Sequence, residues 1–241
     1  MNSRFYSNIS NLVPPITKHL ILINIMMWIA SIVMSRVGVD LVDILGLHYV
    51  EAPKFYLFQL ATNMFLHSTD SVSHLFFNMF SLWMFGRAIE QYWGGSRFLL
   101  FYLVCGVSAS LLQELVWYFE CRSFPEIISV INHYGLEEIP RAEFLNGILA
   151  VGASGAVFGL LLAFGMLFPN ASIYLFFIPV PIKAKYFVVG YGLLELFFGI
   201  RSAMPDSSDS VAHFAHLGGM IGGLLLILIW RRKGKIDGPF V

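Results

Sequence analysis

The sequence predicts an all-α integral membrane protein, a bundle of six transmembrane helices with both termini on the cytoplasmic side. Hydrophobic residues make up 57% of the 241 positions and charged residues only 12%, whereas soluble domains carry about 25% charged residues. Six apolar runs approach the ~20 residues that a helix needs to cross a bilayer. Basic residues gather in alternate connections between these runs. The lipid bilayer is therefore the expected surroundings of the chain.

The predicted spans follow the apolar runs in chain order, and two of them are interrupted by polar groups. The second run begins near His74 and ends with Glu90, and the fifth is short and contains Glu195. Either one is also compatible with a buried core helix, but the four unambiguous neighbours favour spanning. The six runs lie near 19–36, 71–90, 97–119, 147–168, 184–200 and 211–230.

The positions of Lys and Arg set the predicted orientation, because cytoplasmic connections carry the excess of basic residues. With the N-terminus inside, ten of the fifteen basic residues are cytoplasmic, and most acidic residues lie outside. The ten are Arg4, Lys18, Arg87, Arg97, Lys183, Lys185, Arg231, Arg232, Lys233 and Lys235. The second, fourth and sixth spans then all enter the membrane from the outer side.

The chain divides into a cytoplasmic segment 1–17, a membrane domain 18–230 and a basic cytoplasmic tail 231–241. The first span is expected to be a retained anchor, because no short apolar core with a small-residue cleavage site precedes it. The outer connection 36–70 is expected to lie partly in the membrane interface. A short amphipathic helix is expected in the outer connection 120–146.

Composition also excludes several functions. The net charge is zero, with 15 basic and 15 acidic residues, so no basic surface favours nucleic acid. Cys105 and Cys121 would lie about 24 Å apart along a helix, too far for a disulfide. The sequence contains no HExxH motif and lacks the membrane aspartates of an aspartyl intramembrane protease.

Four polar residues share one depth in the predicted membrane. His74 and Asn78 lie a few residues into the second span, Ser154 about seven into the fourth and His216 about five into the sixth, which is roughly 5–10 Å below the outer surface at ~1.5 Å per residue. Polar groups inside a span are costly and mark functional sites by default. Three spans that enter from one side thus bring these residues to one level.

Small residues around Ser154 and His216 predict close helix packing. Gly152 and Gly155 flank the serine, and Gly159 lies one turn further on. Gly219 and Gly223 follow His216 at a spacing typical of tightly packed membrane helices. His216 can then reach hydrogen-bond distance of Ser154, as activation of a hydroxyl requires.

The chemistry favoured by this set is nucleophilic catalysis, with Ser154 as nucleophile and His216 as its base. Backbone N–H groups at the start of the serine helix, together with His74 and Asn78, would stabilise an oxyanion. Taken singly, each residue has a plainer interpretation. Ser154 would bond its own helix, and Asn78 would join two helices. His216 would form an interhelical hydrogen bond or, with His213, a metal pair. Only the joint pattern explains all of them beneath one face.

The residues so identified resemble those of the rhomboid family of intramembrane serine proteases, over about 18–230. Residues 152–155 read GASG and are similar to the GxSG nucleophile motif. Residues 216–223 are similar to the HxxGxxxG of the base helix, and residues 74–78 to the HxxxN of the second helix. The stretches 86–90 and 94–98 resemble those that follow it in the family.

The resemblance implies a Ser-His dyad without an acid, and no metal or cofactor. It implies transmembrane segments of other proteins as substrates, cut near the outer membrane face. A prokaryotic cell membrane is the expected location. Two features depart from the family: residues 37–60 lack its Trp-Arg pair, and Phe158 replaces the Tyr that stacks on the base.

Two further expectations concern the surroundings of the dyad. The polar loop 201–210 lies over His216 in the predicted topology and is a natural lid. The main alternative function is non-enzymatic, a transporter or a rhomboid-like chaperone that recognises membrane segments. A transporter would need broken helices near the midplane, and Pro179 and Pro181 precede the fifth span instead.

Overall fold

The computed structural model describes residues 13–132, 135–175, 178–202 and 211–236, and most of them are helical. The long helical segments coincide with the six predicted runs. They are α1 (Pro15–Ser35), α4 (Val72–Ser81) continued by a π-helical turn (Leu82–Gly86) and α5 (Arg87–Trp93), α6 (Gly95–Cys121), α8 (Ser154–Leu167), α9 (Ala184–Ser202) and α10 (His213–Arg232).

Short elements connect these helices. Between α1 and α4 lie α2 (Leu41–Leu45), β1 (Leu47–His48), α3 (Gln59–Thr62) and a 3-10 turn (Asn63–Phe65). Between α6 and α8 lie β2 (Ile127–Asn132), β3 (Gly135–Pro140), α7 (Arg141–Asn146) and β4 (Leu149–Ala150), and between α8 and α9 lie β5 (Ser172–Leu175) and β6 (Ile178–Lys183). The described residues form three antiparallel pairs, β1 with β4, β2 with β3 and β5 with β6.

Among the described residues, three helices are long and apolar enough to cross a membrane, namely α1, α6 and α10. The protein is therefore an integral membrane protein. The helix α8 is apolar but has only 14 residues, and α4 is shorter still before its π-helical turn. The number of six spans and the side of each terminus stay predictions.

One sequence-based expectation is wrong in detail, and another is met only in part. The fourth predicted run begins at 147, but α8 begins at Ser154, because the backbone before it is extended and Gly152 takes a φ of 138°. The outer connection 120–146 was expected to hold an amphipathic helix. It holds the β2–β3 hairpin and only the six-residue α7, and the Ile- and Val-rich run 127–131 has the side chains that favour strands.

The helix α10 packs between α6 and α8 along a seam of glycines. A Cβ on Gly219 would overlap the carbonyl of Gly155 on α8, and one on Gly218 would come within 2.8 Å of the Ser108 carbonyl on α6. Only glycine allows backbones to approach this closely. The seam fixes the base helix against the serine helix.

The connection between α1 and α4 is organised by one buried amide. The Gln59 side chain donates to the carbonyls of Ile44 and Lys54, at 3.1 and 3.0 Å, and accepts from the backbone N–H groups of His48 and Tyr56, at 3.3 and 3.1 Å. Its oxygen and both of its N–H bonds are thus used. This amide supports the connection where the family's Trp-Arg pair is missing.

Candidate active site

Ser154 is held at the first turn of α8 by the extended strand that precedes it. Pairing of β4 with β1 aligns Leu149 opposite His48 and Ala150 opposite Leu47, and the Gly152 N–H donates to the Asn63 carbonyl at 3.1 Å. The φ of 138° at Gly152 is one that other residues rarely adopt. The chain therefore turns sharply into α8 and presents the serine at the helix start, where first-turn N–H groups lack helical acceptors.

His216 contacts Ser154 directly. Its Nε2 lies 2.9 Å from the serine Oγ, within the range of a hydrogen bond. The imidazole ring stacks on Phe158 with centroids 4.2 Å apart and planes inclined by 7°, and Tyr191 also stacks on Phe158, with centroids 5.3 Å apart. The stack on Phe158 thus holds the plane of the imidazole.

Glu195, which is not among the predicted site residues, contacts His216. The Nδ1 of His216 lies 2.8 Å from Oε2 of Glu195, and the Nδ1 of His213 lies 2.7 Å from the same oxygen. Glu195 is 6% exposed and His216 8%. The sequence contains a signal for Glu195 as a site residue, because an acid within a span is itself a functional candidate. The apolar pattern identifies Glu195 as a polar interruption of the fifth span and does not place it in the site.

Glu195, His213 and His216 are also the residues that could hold a metal ion among those described. Their ligand atoms all lie within 4.8 Å of one another, and all three side chains are buried. The resemblance implies no metal, and the sequence alone left a His213–His216 metal pair open.

His74 lies beside the nucleophile turn. Its Nε2 would be 3.1 Å from a Cβ on Gly152, while the Ser154 Oγ would be 3.6 Å from the same Cβ. The Ser68 N–H donates to the His74 Nδ1 at 3.4 Å. The acceptor role of Nδ1 leaves the proton of a neutral ring on Nε2, which faces the space above Gly152.

Asn78 lies one turn further along α4. Its side-chain amide donates to the His74 carbonyl at 2.8 Å, which uses one of two amide protons. Asn78 also lines a cavity together with Ser154.

Among the described residues, the two large cavities meet at Ser154. The first, about 760 Å³, is almost entirely apolar and lies between α4 and α9, lined by Phe77, Asn78, Tyr191 and Leu194 among others. The second, about 690 Å³, is more polar and is lined by His74, His213 and His216 together with residues of α6 and β4. The serine therefore borders an apolar space on one side and a polar space on the other.

The structure thus brings Ser154, His216, His74 and Asn78 around one point, with Phe158 against the base and Gly152, Gly155 and Gly219 in the backbone that positions them. Of the predicted lid, residues 203–210 lie outside the described residues.

His67 is fully buried beside His74, with ring centroids 5.1 Å apart. Burial lowers its pKa to about 3.

Residues 54–233 match the family model described as the rhomboid domain. The chain belongs to the rhomboid family. This rhomboid is 34% identical to Rhomboid protein 1, mitochondrial, of Saccharomyces cerevisiae over 152 residues, which are 63% of this chain and 36% of the yeast protein. It is 29% identical to Rhomboid protease GluP of Bacillus subtilis over 68% of this chain and 24% of that protein.

A plant relative, Rhomboid-like protein 11, chloroplastic, of Arabidopsis thaliana, is 28% identical over 74% of this chain and 54% of its own length. The matched regions therefore span about a quarter to a half of these relatives. These relatives include mitochondrial and chloroplastic proteins as well as a bacterial one, so the expectation of a prokaryotic cell membrane is not supported.

Proposed function

We propose that this rhomboid is an intramembrane serine endopeptidase that cleaves transmembrane segments of other membrane proteins near the outer membrane face. The observation that carries the proposal is the 2.9 Å contact between the His216 Nε2 and the Ser154 Oγ. Membership of the rhomboid family gives the contact its context. A serine beside a correctly placed imidazole is the arrangement that nucleophilic catalysis needs.

The reaction follows from the atoms that face each other. His216 Nε2 takes the proton of Ser154 as its Oγ attacks the substrate carbonyl, and the resulting imidazolium returns that proton to the leaving amine. Water then attacks the acyl-enzyme with His216 again as base. The oxyanion of each tetrahedral intermediate would be stabilised by first-turn N–H groups of α8, by the His74 Nε2–H and by the Asn78 amide.

The two cavities match the two reactants. An apolar substrate segment fits the space between α4 and α9, which opens on side chains such as Phe77 and Leu194. Water for deacylation fits the polar space that His74 and His216 line. Both reach Ser154, as a hydrolysis within a membrane requires.

The proposal includes the predicted topology. Six spans with both termini cytoplasmic, residues 18–230 as the membrane domain and 231–241 as a basic tail would place the starts of α4, α8 and α10 near the outer surface. The long apolar helices support membrane insertion, and ten of fifteen basic residues support the orientation.

The test is cleavage of a model transmembrane substrate in proteoliposomes. Ser154→Ala and His216→Ala should each abolish cleavage, because nucleophile and base act as one unit. His19→Ala, which alters an exposed histidine on α1, should cleave normally. A fluorophosphonate should label the wild-type protein at Ser154. Cleavage at the wild-type rate by Ser154→Ala or His216→Ala would reject the proposed function.

A further inference from the structure

Resting on the proposed function, we propose that Glu195 is a positioning residue of the protease, so that the site operates as Ser154–His216–Glu195 rather than as a Ser-His dyad. Glu195 fixes the tautomer of the base and stabilises its protonated form during the reaction.

The geometry gives each nitrogen of His216 a separate partner. Nε2 faces the Ser154 Oγ at 2.9 Å and Nδ1 faces the Glu195 Oε2 at 2.8 Å. A carboxylate only accepts hydrogen bonds, so Nδ1 must carry the proton. A neutral ring then has its lone pair on Nε2, where the serine proton is taken. The other tautomer would leave Nε2 protonated and unable to act as a base.

The carboxylate is itself held in place. Oε2 of Glu195 also accepts from His213 Nδ1 at 2.7 Å, and His213 lies on α10 one turn before His216. Two N–H donors on α10 therefore hold the carboxylate of Glu195, which lies on α9. Burial of a polar group is costly unless it is hydrogen-bonded, and Glu195 meets that condition through the two imidazoles.

Hydrogen bonds explain these distances better than metal coordination. Two ligand atoms on a tetrahedral zinc ion, each ~2.0–2.1 Å from the metal, would be separated by about 3.3 Å. The two N–O distances to Glu195 are 2.7 and 2.8 Å. The side chains of Glu195, His213 and His216 are thus spaced as hydrogen-bond donors and acceptors.

During catalysis the proton of Ser154 moves to Nε2 while the Nδ1 proton stays on the ring, bonded to Glu195. The imidazolium so formed faces a negative charge at hydrogen-bond distance inside a buried site, where such an interaction is stronger than in water. When the leaving amine takes the Nε2 proton, the original tautomer returns. Glu195 neither gains nor loses a proton in the cycle.

The decisive variant is Glu195→Gln in the full-length protein. Glutamine has nearly the same shape, and its carbonyl can still accept from both imidazoles, but the negative charge is lost. A purely structural role predicts nearly wild-type activity. Our proposal predicts that kcat falls by about 10²- to 10⁴-fold while KM changes less than about twofold, because substrate binding does not involve this contact.

The matched control is Glu143→Gln, which removes an exposed carboxylate on α7 that lines neither cavity and has no contact with His216 among the described residues. Its kcat should stay within about twofold of wild type, which separates a local effect from a general change in charge. Wild-type kcat in Glu195→Gln would overturn the proposal while Ser154→Ala remained inactive. Activity in Ser154→Ala would instead overturn the proposed function.

A second measurement uses the wild-type protein and therefore does not require that the Glu195→Gln variant folds. With ¹⁵N-labelled histidine in the wild-type protein, NMR should show the neutral His216 ring protonated at Nδ1. Protonation at Nε2 would overturn the proposal. Loss of activity on chelation, with recovery on addition of zinc, would also overturn it in favour of a metal site.

Discussion

His74 and Asn78 are the residues whose contribution to the oxyanion can be measured one group at a time. His74→Ala and Asn78→Ala should each lower kcat by about 10- to 1000-fold, since each removes one donor that acts mainly on the transition state. The measurement is steady-state cleavage of the model substrate, with kcat and KM determined separately. An increase in KM at unchanged kcat would show that these side chains bind substrate instead.

His67 makes stability depend on pH. Its pKa is about 3 in the folded protein and about 6.5 in an unfolded chain. Below pH 6.5 the unfolded chain therefore binds a proton that the folded protein does not. The free energy of unfolding should decrease as the pH falls from about 6.5 towards 3, by at most about 1.4 kcal/mol per pH unit from this group.

The measurement is unfolding in detergent at pH 7 and pH 5. His67→Leu has no titratable ring and should lose part of the decrease in stability, whereas His19→Leu on the exposed side of α1 should retain it. An identical pH dependence in wild type and His67→Leu would show that His67 is protonated without opening the fold.

Individual polar residues are the part of the candidate site that a sequence makes easiest to find. Ser154, His216, His74 and Asn78 are conspicuous because polar groups are rare in apolar runs. The sequence shows that Glu195 lies in the fifth span but not which residues it contacts, because its partners lie 18 and 21 positions away on another helix. A sequence gives the depth of a residue in a span, but not which neighbouring helix its side chain faces.

At the level of elements, the glycine seam should be intolerant of a single methyl group. Gly219→Ala would place a Cβ on the Gly155 carbonyl and separate α10 from α8. We expect destabilisation of about 1–3 kcal/mol from overpacking, together with loss of cleavage as the base leaves the serine. Unfolding in detergent and cleavage in proteoliposomes measure the two effects.

The control for stability is Gly190→Ala on α9, where an added Cβ meets nothing within 4 Å. Alanine is the better helix former by about 1 kcal/mol, so this variant should be as stable as wild type or more so. Equal stability of Gly219→Ala and wild type would mean that α8 and α10 can shift apart without cost.

Apolar runs predicted where the helices lie but not where each begins. Hydrophobicity extends through Ile148 and Val151, so the fourth run seemed to start before the serine. The start of α8 is set instead by the pairing of β4 with β1 and by the positive φ of Gly152. Both depend on a partner strand about a hundred positions earlier, which no local pattern contains.

For the whole molecule, the apolar cavity between α4 and α9 predicts the route of the substrate. Phe77 and Leu194 line it and are both exposed. Joining cysteines at these two positions with a bifunctional thiol reagent should block cleavage of a transmembrane substrate. Labelling of Ser154 by a small fluorophosphonate should persist, because the polar cavity stays open.

The control pair is Leu111→Cys with Leu115→Cys, two exposed positions one turn apart on α6. A link within one helix constrains no other element, so cleavage should continue. The native Cys105 and Cys121 are buried and should not react. Normal cleavage by the joined Phe77–Leu194 protein would direct attention to the outer side of the molecule, where the loop 201–210 was expected to act as a lid.

The glycine seam has a consequence for control of the proposed enzyme. Because the backbones of α8 and α10 touch at Gly155 and Gly219, the nucleophile and its base are assembled before any substrate arrives. For the proposed protease, binding of a substrate would then not be needed to bring Ser154 and His216 together, and a membrane helix would be cut when it unwinds beside the serine.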